Sequence, residues 1–277
     1  MEISGKLTKE QLLSSLKKAR VLGILTEIPT HCGHRCYLIK ENYDKLLYIP
    51  DNVTKLNSID DISEGIESDD QIRVTKYLKS ANGNLKVIGG SNLKDAICLF
   101  IGCCFDTIDL SDFDTANIED MSAMFYSCIA NKLKIVTPKN NKNKSTNWMF
   151  AQSSIIEIDL SEFYTNSVVD MSGMFRYCET SQLDLSSFDT SNVIHMDEMF
   201  EGCKAHEINV KSFNTLNVKY AKDMFGDLTI DCLDLSSFNL TNVYNLLDSS
   251  MFYSSQITRL IASSDICKCY EMWQRYI

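Results

Sequence analysis

The chain has 277 residues, 44% of them hydrophobic, and a formal net charge of −10. That apolar content is ordinary for a globular protein and excludes a disordered chain. The acidic excess argues against broad nucleic-acid binding, which needs Lys and Arg, and no run of about 18 apolar residues exists to span a membrane.

The N-terminus has no apolar core of the signal-peptide type, because acidic and basic residues interrupt it throughout. The expected location is therefore the cytoplasm. The eleven cysteines are an odd number in a chain without a secretion signal, so they are read as small buried apolar residues rather than a disulfide framework.

Residues 7–25 predict an amphipathic helix, with Thr8 as N-cap, Gln11 as its capping-box partner and Gly23 as the break. His31, Cys32, His34 and Cys36 crowd together, but their spacing does not suit structural zinc and no second ligand pair follows. The segment is read as a turn at Gly33 leading into the strand RCYLIK. KLLYIP (45–50) predicts the second strand of a hairpin. The acidic stretch 57–70 predicts an exposed loop or short helix. QIRVTKYL (71–78) and LKVIGG (85–90) predict further strands. Residues 1–90 are expected to form a small α+β cap.

From there the chain repeats. Leu99-Phe100, Met124-Phe125, Met149-Phe150, Met174-Phe175, Met199-Phe200 and Met224-Phe225 recur every 25 residues, and Met251-Phe252 lies two residues beyond the next step. A fixed period of this length marks a solenoid. In each unit an apolar–polar–apolar triplet predicts a short strand: Ile108-Asp109-Leu110, Leu133-Lys134-Ile135, Ile158-Asp159-Leu160, Leu183-Asp184-Leu185, Ile208-Asn209-Val210 and Leu233-Asp234-Leu235. Positions 118, 121, 124, 125 and 128 follow spacings of three and four, which predict a short helix. The Phe, Met and Cys positions become interior ladders, Cys103, Cys128, Cys178 and Cys203 among them. Solenoid residues 91–262 are followed by a C-terminal cap, 263–277, carrying Tyr270 and Trp273. The fold class expected is α/β, one strand and one short helix per turn.

LDLSSFDTSNVIHMDEMFEGC (183–203), LDLSSFNLTNV (233–243) and IDLSDFDTANIEDMSAMFYSC (108–128) resemble the BspA-type leucine-rich repeat of bacteria in its 25-residue form. The resemblance covers residues 93–262 and implies a right-handed leucine-rich solenoid. Surface members of that family bind host proteins or other cells; the residues read here are expected to differ from them in having no secretion signal or wall anchor. The lead-in IPDNVTKLN is similar to that of short cytoplasmic or phage-associated relatives.

Two sets of residues are candidates for binding. The outward triplet position reads Asp109, Lys134, Asp159, Asp184, Asn209 and Asp234, with Glu157 and Glu207 beside it, a largely acidic row on stacked strands. The row reads either as exposed, hydrogen-bonded carboxylates or as a face for a basic protein partner. The degenerate unit KLKIVTPKNNKNK (132–144) loses the consensus Phe and Val to Pro138 and Asn143. It brings Lys132, Lys134, Lys139, Lys142 and Lys144 together as an expected basic patch, read either as drift or as a binding site. No phosphate loop, metal set or nucleophile–base pair stands out, so neither catalysis nor a cofactor is expected. The leading expectation is a non-catalytic protein-binding module using the sheet face. The alternatives are a phage- or mobile-element-encoded inhibitor of a host nucleic-acid enzyme, of anti-CRISPR type, and an adhesin-like protein.

Overall fold

The computed structural model of the protein describes residues 9–29, 34–41, 44–54, 56, 77–78, 83–246 and 250–274. The elements are α1 (Lys9–Val21), β1 (Leu25–Pro29), β2 (Arg35–Glu41), β3 (Asp44–Ile49), β4 (Asn84–Gly89), β5 (Cys104–Phe113), β6 (Ile129–Ile135), β7 (Ser154–Asp159), β8 (Gln182–Asp184), β9 (Glu207–Asn209), β10 (Thr229–Asp234), β11 (Gln256–Ile261) and α2 (Ser264–Gln274).

Helix α1 ends at Val21, just before the break expected at Gly23. The amide of Ile24 donates to Ala19 O and that of Gly23 to Arg20 O, with Gly23 at φ +70°. This is the Schellman closure, which a left-handed glycine permits. Leu25, the last residue of the expected helical segment, instead opens a strand, β1, that the periodicity did not predict. β1 pairs antiparallel with β2, and β2 with β3, as the expected hairpin. The acidic stretch 57–70 and most of the strand expected at 71–78 lie outside the described residues, as do His31, Cys32 and Gly33. Tyr77 and Leu78, the described end of that strand, are helical.

β3 pairs parallel with β4, and β4 with β5, so the N-terminal sheet runs directly into the first rung of the solenoid. One sheet of seven strands results, in chain order β1 to β7, followed by the separate pairs β8–β9 and β10–β11. Inward residues Leu38, Leu47, Leu85, Ile108 and Leu133 are fully buried and continue one core along the whole stack. Outward, Ile39, Leu46 and Ile88 form a second, smaller core with Leu12, Leu16 and Ala19 of α1.

The repeats build the solenoid as the 25-residue period requires. Phe100, Phe125, Phe150, Phe175, Phe200, Phe225 and Phe252 stack in a single column through seven rungs, with centroids 5.3–5.8 Å apart. A second column, Phe163, Phe188, Phe213 and Phe238, runs beside it. Pro138 stands where that column would extend to Phe113. Cys103, Cys128, Cys178 and Cys203 are buried in register, and desolvation pushes their thiols up, Cys103 and Cys178 to about 12.

The expected short helix in each repeat is corrected by the structure: among the described residues, each Met-Phe arm is a chain of tight turns. In the arm 121–128, Met124, Tyr126 and Cys128 donate to residues three positions back, whereas Ala123, Phe125 and Ser127 donate to Asn147, Met149 and Ala151 of the next rung. A helix would use its amides inside the segment; here every second amide joins one rung to the next. The alternation places Ala123 and Ser127 at φ +52° and +53°, and the equivalent positions repeat the conformation along the stack. The spacing of three and four therefore reports two inward-facing turns rather than a helical face.

Candidate functional site

The polar residues of the consensus divide by structural role. Asp109 Oδ1 accepts the amide of Ser111 at 2.9 Å, Asp114 that of Ala116 at 3.0 Å and Asp120 that of Ser122 at 2.8 Å. These are Asx turns, one at each of three corners of the rung. Asp159, Asp184 and Asp234 repeat the first corner with Ser161, Ser186 and Ser236. Buried Thr115, Thr165, Thr190 and Thr215 donate to carbonyls of the following rung at 2.9–3.0 Å. Asn192, Asn217 and Asn242 donate to carbonyls of the preceding rung at 2.7–2.8 Å. The recurring D-T-S-N string thus fastens rungs together. Its signal was legible as polar residues held in strict register across units.

The outward row stands on the sheet face as expected, and it is not uniformly acidic. In the strand register, Lys86 faces Asp109, Asp109 faces Lys134, and Lys134 faces Asp159. The signs alternate along the row. Lys86 Nζ is 3.6 Å from Asp109 and 2.8 Å from Asp112, and Lys134 Nζ is 3.4 Å from Asp159 and 3.5 Å from Glu162. Lys132 pairs with Glu157 at 3.2 Å, and Lys211 with Asp234 at 3.7 Å. Desolvation raises the Asp109 carboxyl, but hydrogen bonds from Ser111 and the charge of Lys86 outweigh it and leave it below the ordinary aspartate range. Asp159 is held low by Ser161 and Lys134, and Asp234 by Ser236 and Lys211. Their contribution to stability is complete above the ordinary aspartate pKa and is lost as pH falls through the lower native one.

The lysines of the degenerate unit do not form the single patch expected of them. Lys132 and Lys134 belong to β6 and serve as counterions in the row. Lys139 lies over the Tyr164 ring at 5.2 Å, and Lys142 donates to Asn117 Oδ1 at 2.7 Å. Both follow the corner at Thr137 and Pro138, as does exposed Lys144. Where the consensus apolar residues are lost, Asn141 is buried and donates to Pro138 O and Tyr164 O at 2.8 and 2.9 Å. Replacing Lys134 by Glu sets three carboxylates in one row. With both partners about a third exposed, we expect a loss of only about 1 kcal/mol near pH 7. Crowding raises the carboxyl pKa values, so the deficit shrinks as pH falls toward about 4, which paired urea titrations would show.

A second charged cluster, not predicted, lies on the Met-Phe arms. Arg176 pairs with Glu201 at 2.7 Å and Glu198 at 3.1 Å, and stands over the rings of Trp148 and Tyr177 at 5.4 and 5.0 Å. Desolvation and the Glu201 carboxylate push the Tyr177 hydroxyl up to about 12. Gly173 and Gly202 leave the space these rings occupy: a Cβ on Gly202 would lie 2.2 Å from the Tyr177 ring.

The sheet opens between β7 and β8. Ile156 O accepts the Ser181 amide at 3.0 Å, the Ser181 hydroxyl at 2.7 Å and the Thr180 hydroxyl at 3.2 Å. Beyond this point β7 and β8 share no strand pairing. A groove of about 530 Å³ fills the gap, lined by Lys132, Glu157, Ile158, Asp159, Gln182 and Asp184 among others. A second groove, about 470 Å³, occupies the other break, between β9 and β10, and includes Glu207, Asp234, Lys211 and Arg259. Five of the sheet-face residues expected from the sequence, Glu157, Asp159, Asp184, Glu207 and Asp234, thus line the two breaks; Asp109 and Lys134 stand on the intact sheet.

Among the described residues no group of three His, Cys, Asp or Glu is placed to hold a metal ion, and no helix is long and apolar enough to cross a membrane. No curated protein and no solved structure matches the chain. Residues 74–156 and 144–263 each match the family model described as Mycoplasma protein of unknown function, DUF285. The two matches together cover the solenoid and more than half of the chain, which belongs to that family.

Proposed function

We infer that the protein is a non-catalytic protein-binding module whose partner lies on the sheet face of the solenoid. One observation carries this reading. The outward face is covered at β2–β4 by α1, through Leu12, Leu16 and Ala19 on Ile39, Leu46 and Ile88, and among the described residues no helix packs on the same face from β5 onward. The described chain thus uses part of this face to dock a helix and leaves the rest without such a cover. In this reading the repeats are the 25-residue BspA-type leucine-rich form, wound right-handed, with residues 1–90 and 263–277 as caps. The setting proposed is the cytoplasm of a bacterial or phage-infected cell.

The pairing of the outward row favours a specific protein contact over an inhibitor of a nucleic-acid enzyme, which needs an unpaired acidic face to occupy a basic channel. The test is affinity capture from a lysate of the cells that make the protein. Glu157→Lys with Glu207→Lys is expected to reduce capture at least tenfold. Lys139→Glu, Lys142→Glu and Lys144→Glu together are expected to leave it unchanged. Full capture by the first variant removes the sheet face from consideration.

A further inference from the structure

The β7–β8 groove combines an apolar floor with an unbalanced rim. Ile158 is half-buried, whereas its equivalents Ile108, Leu133, Leu183, Ile208 and Leu233 are at most 5% exposed. Opening the sheet uncovers this one member of the inner ladder. On the rim, the alternation of signs stops. It runs Lys86, Asp109, Lys134, Asp159, and the next outward residue across the gap is Asp184, a second carboxylate in succession.

Asp184 accepts the amide of Ser186 at 3.1 Å and the side-chain amide of Asn209 at 2.9 Å. Among the described residues Asp184 makes no ion pair, whereas Asp109, Asp159 and Asp234 each have a lysine. Lys132, the cation lining the groove, is engaged by Glu157. The β9–β10 groove differs here, because the chain supplies cations of its own. Arg259 places its guanidinium 3.3 Å from Cys232 Sγ, and Lys211 pairs with Asp234.

We propose that the β7–β8 groove receives an arginine or lysine side chain from an extended basic segment of the protein partner, its aliphatic stem on Ile158 and its cationic head between Asp159 and Asp184. Such a side chain has both required parts, an apolar stem and a charged tip. It restores the alternation that the chain maintains on every rung from β4 to β7. A planar guanidinium offers several donors to two carboxylates and fits better than an ammonium. The groove lies along the β7 edge of the same seven-stranded sheet whose outward face α1 covers at β2–β4.

This inference rests on the sheet-face reading and is tested separately from it. The probe is the peptide acetyl-Gly-Ser-Arg-Ser-Gly-amide, titrated into the full chain and followed by amide NMR shifts. Its counterpart with neutral citrulline replaces the charge and keeps the shape. Saturable shifts confined to residues 157–161 and 181–184 are expected, with the citrulline peptide at least tenfold weaker. Asp159→Asn with Asp184→Asn should weaken the arginine peptide at least tenfold. Asn keeps the turn at these corners, as Asn209 does by accepting the Lys211 amide, so the fold survives and its spectrum is the control.

Citrulline binding within twofold, shifts elsewhere, or undiminished binding by the double variant would overturn the proposal. So would shifts given by calcium ions or spermidine but not by the arginine peptide. In the capture assay, loss with Glu157→Lys and Glu207→Lys but not with the two Asn substitutions removes the groove and keeps the sheet face. Loss with neither removes both.

Discussion

Phe150→Ala is expected to lower the unfolding free energy by about 3–5 kcal/mol, the range for removing a buried aromatic side chain. Phe150 is fully buried and stacks on Phe125 at 5.3 Å and on Phe175 at 5.4 Å. Truncation therefore leaves a cavity and deletes two ring contacts, each worth about 0.5–1.5 kcal/mol beyond area burial. A solenoid's stability is a sum of rungs and nearest-neighbour interfaces. The lesion sits inside the stack, at the third of seven rings, so it weakens the coupling between the segments on either side. Urea denaturation followed by circular dichroism should show a lower midpoint and a broadened or two-step transition. A single sharp transition at the native midpoint would show that the column contributes little.

Gly89→Ala is expected to be of comparable severity, at about 3 kcal/mol or more, from a different cause. Gly89 sits at φ +85°, and a Cβ there would lie 2.2 Å from Ile49 O. The left-handed conformation costs an L-residue about 1–2 kcal/mol, and overpacking adds about 1–3 kcal/mol. The obstacle is backbone, so no side chain can swing aside. Around this residue the Gly90 amide donates to Ile49 O at 2.8 Å, and the Asp114 amide to Gly89 O at 2.8 Å. Those bonds join the N-terminal strands to the first rung. Amide hydrogen exchange should show strands β1, β2 and β3 losing protection well before the distal rungs. Equal protection throughout would place the joint elsewhere.

Much of the solenoid was legible because its period is carried by residues with no other role. Phe, Met and the inner Leu and Ile positions recur for burial alone, and the structure stacks them as their spacing requires. The triplets became strands because alternation along a chain has one meaning when one face is buried. The arms were misread because a spacing of three and four describes a helix equally well as a pair of turns that send alternate amides to the next rung. That distinction depends on hydrogen bonds to residues 24 positions away, which no local window contains.

The candidate face was legible in part for a similar reason. The outward positions of Asp109, Asp159, Asp184 and Asp234 followed from alternation. Lys134 followed from the same alternation, but Lys86, which lies outside the repeat, and Lys211, which lies outside the triplet, did not. The unit 132–144, read either as drift or as a binding site, supplies the cation that separates two carboxylates. The opening of the sheet after β7 had no signal in the triplets: Leu183-Asp184-Leu185 is the most regular of them. It arises from Thr180 and Ser181, whose hydroxyls both turn onto Ile156 O.

The two flanks of the stack also differ as mechanical members. The Phe100-to-Phe252 column is uninterrupted along the solenoid, whereas the sheet is severed after β7 and again after β9. A beam continuous on one flank and notched on the other has its neutral axis near the intact side. Flexure is then expected to concentrate at the notches, where fewer interstrand bonds resist it, with the aromatic column as the continuous member. The separation of β7 from β8 is thus the distance in which a bend of the stack is expected to register first.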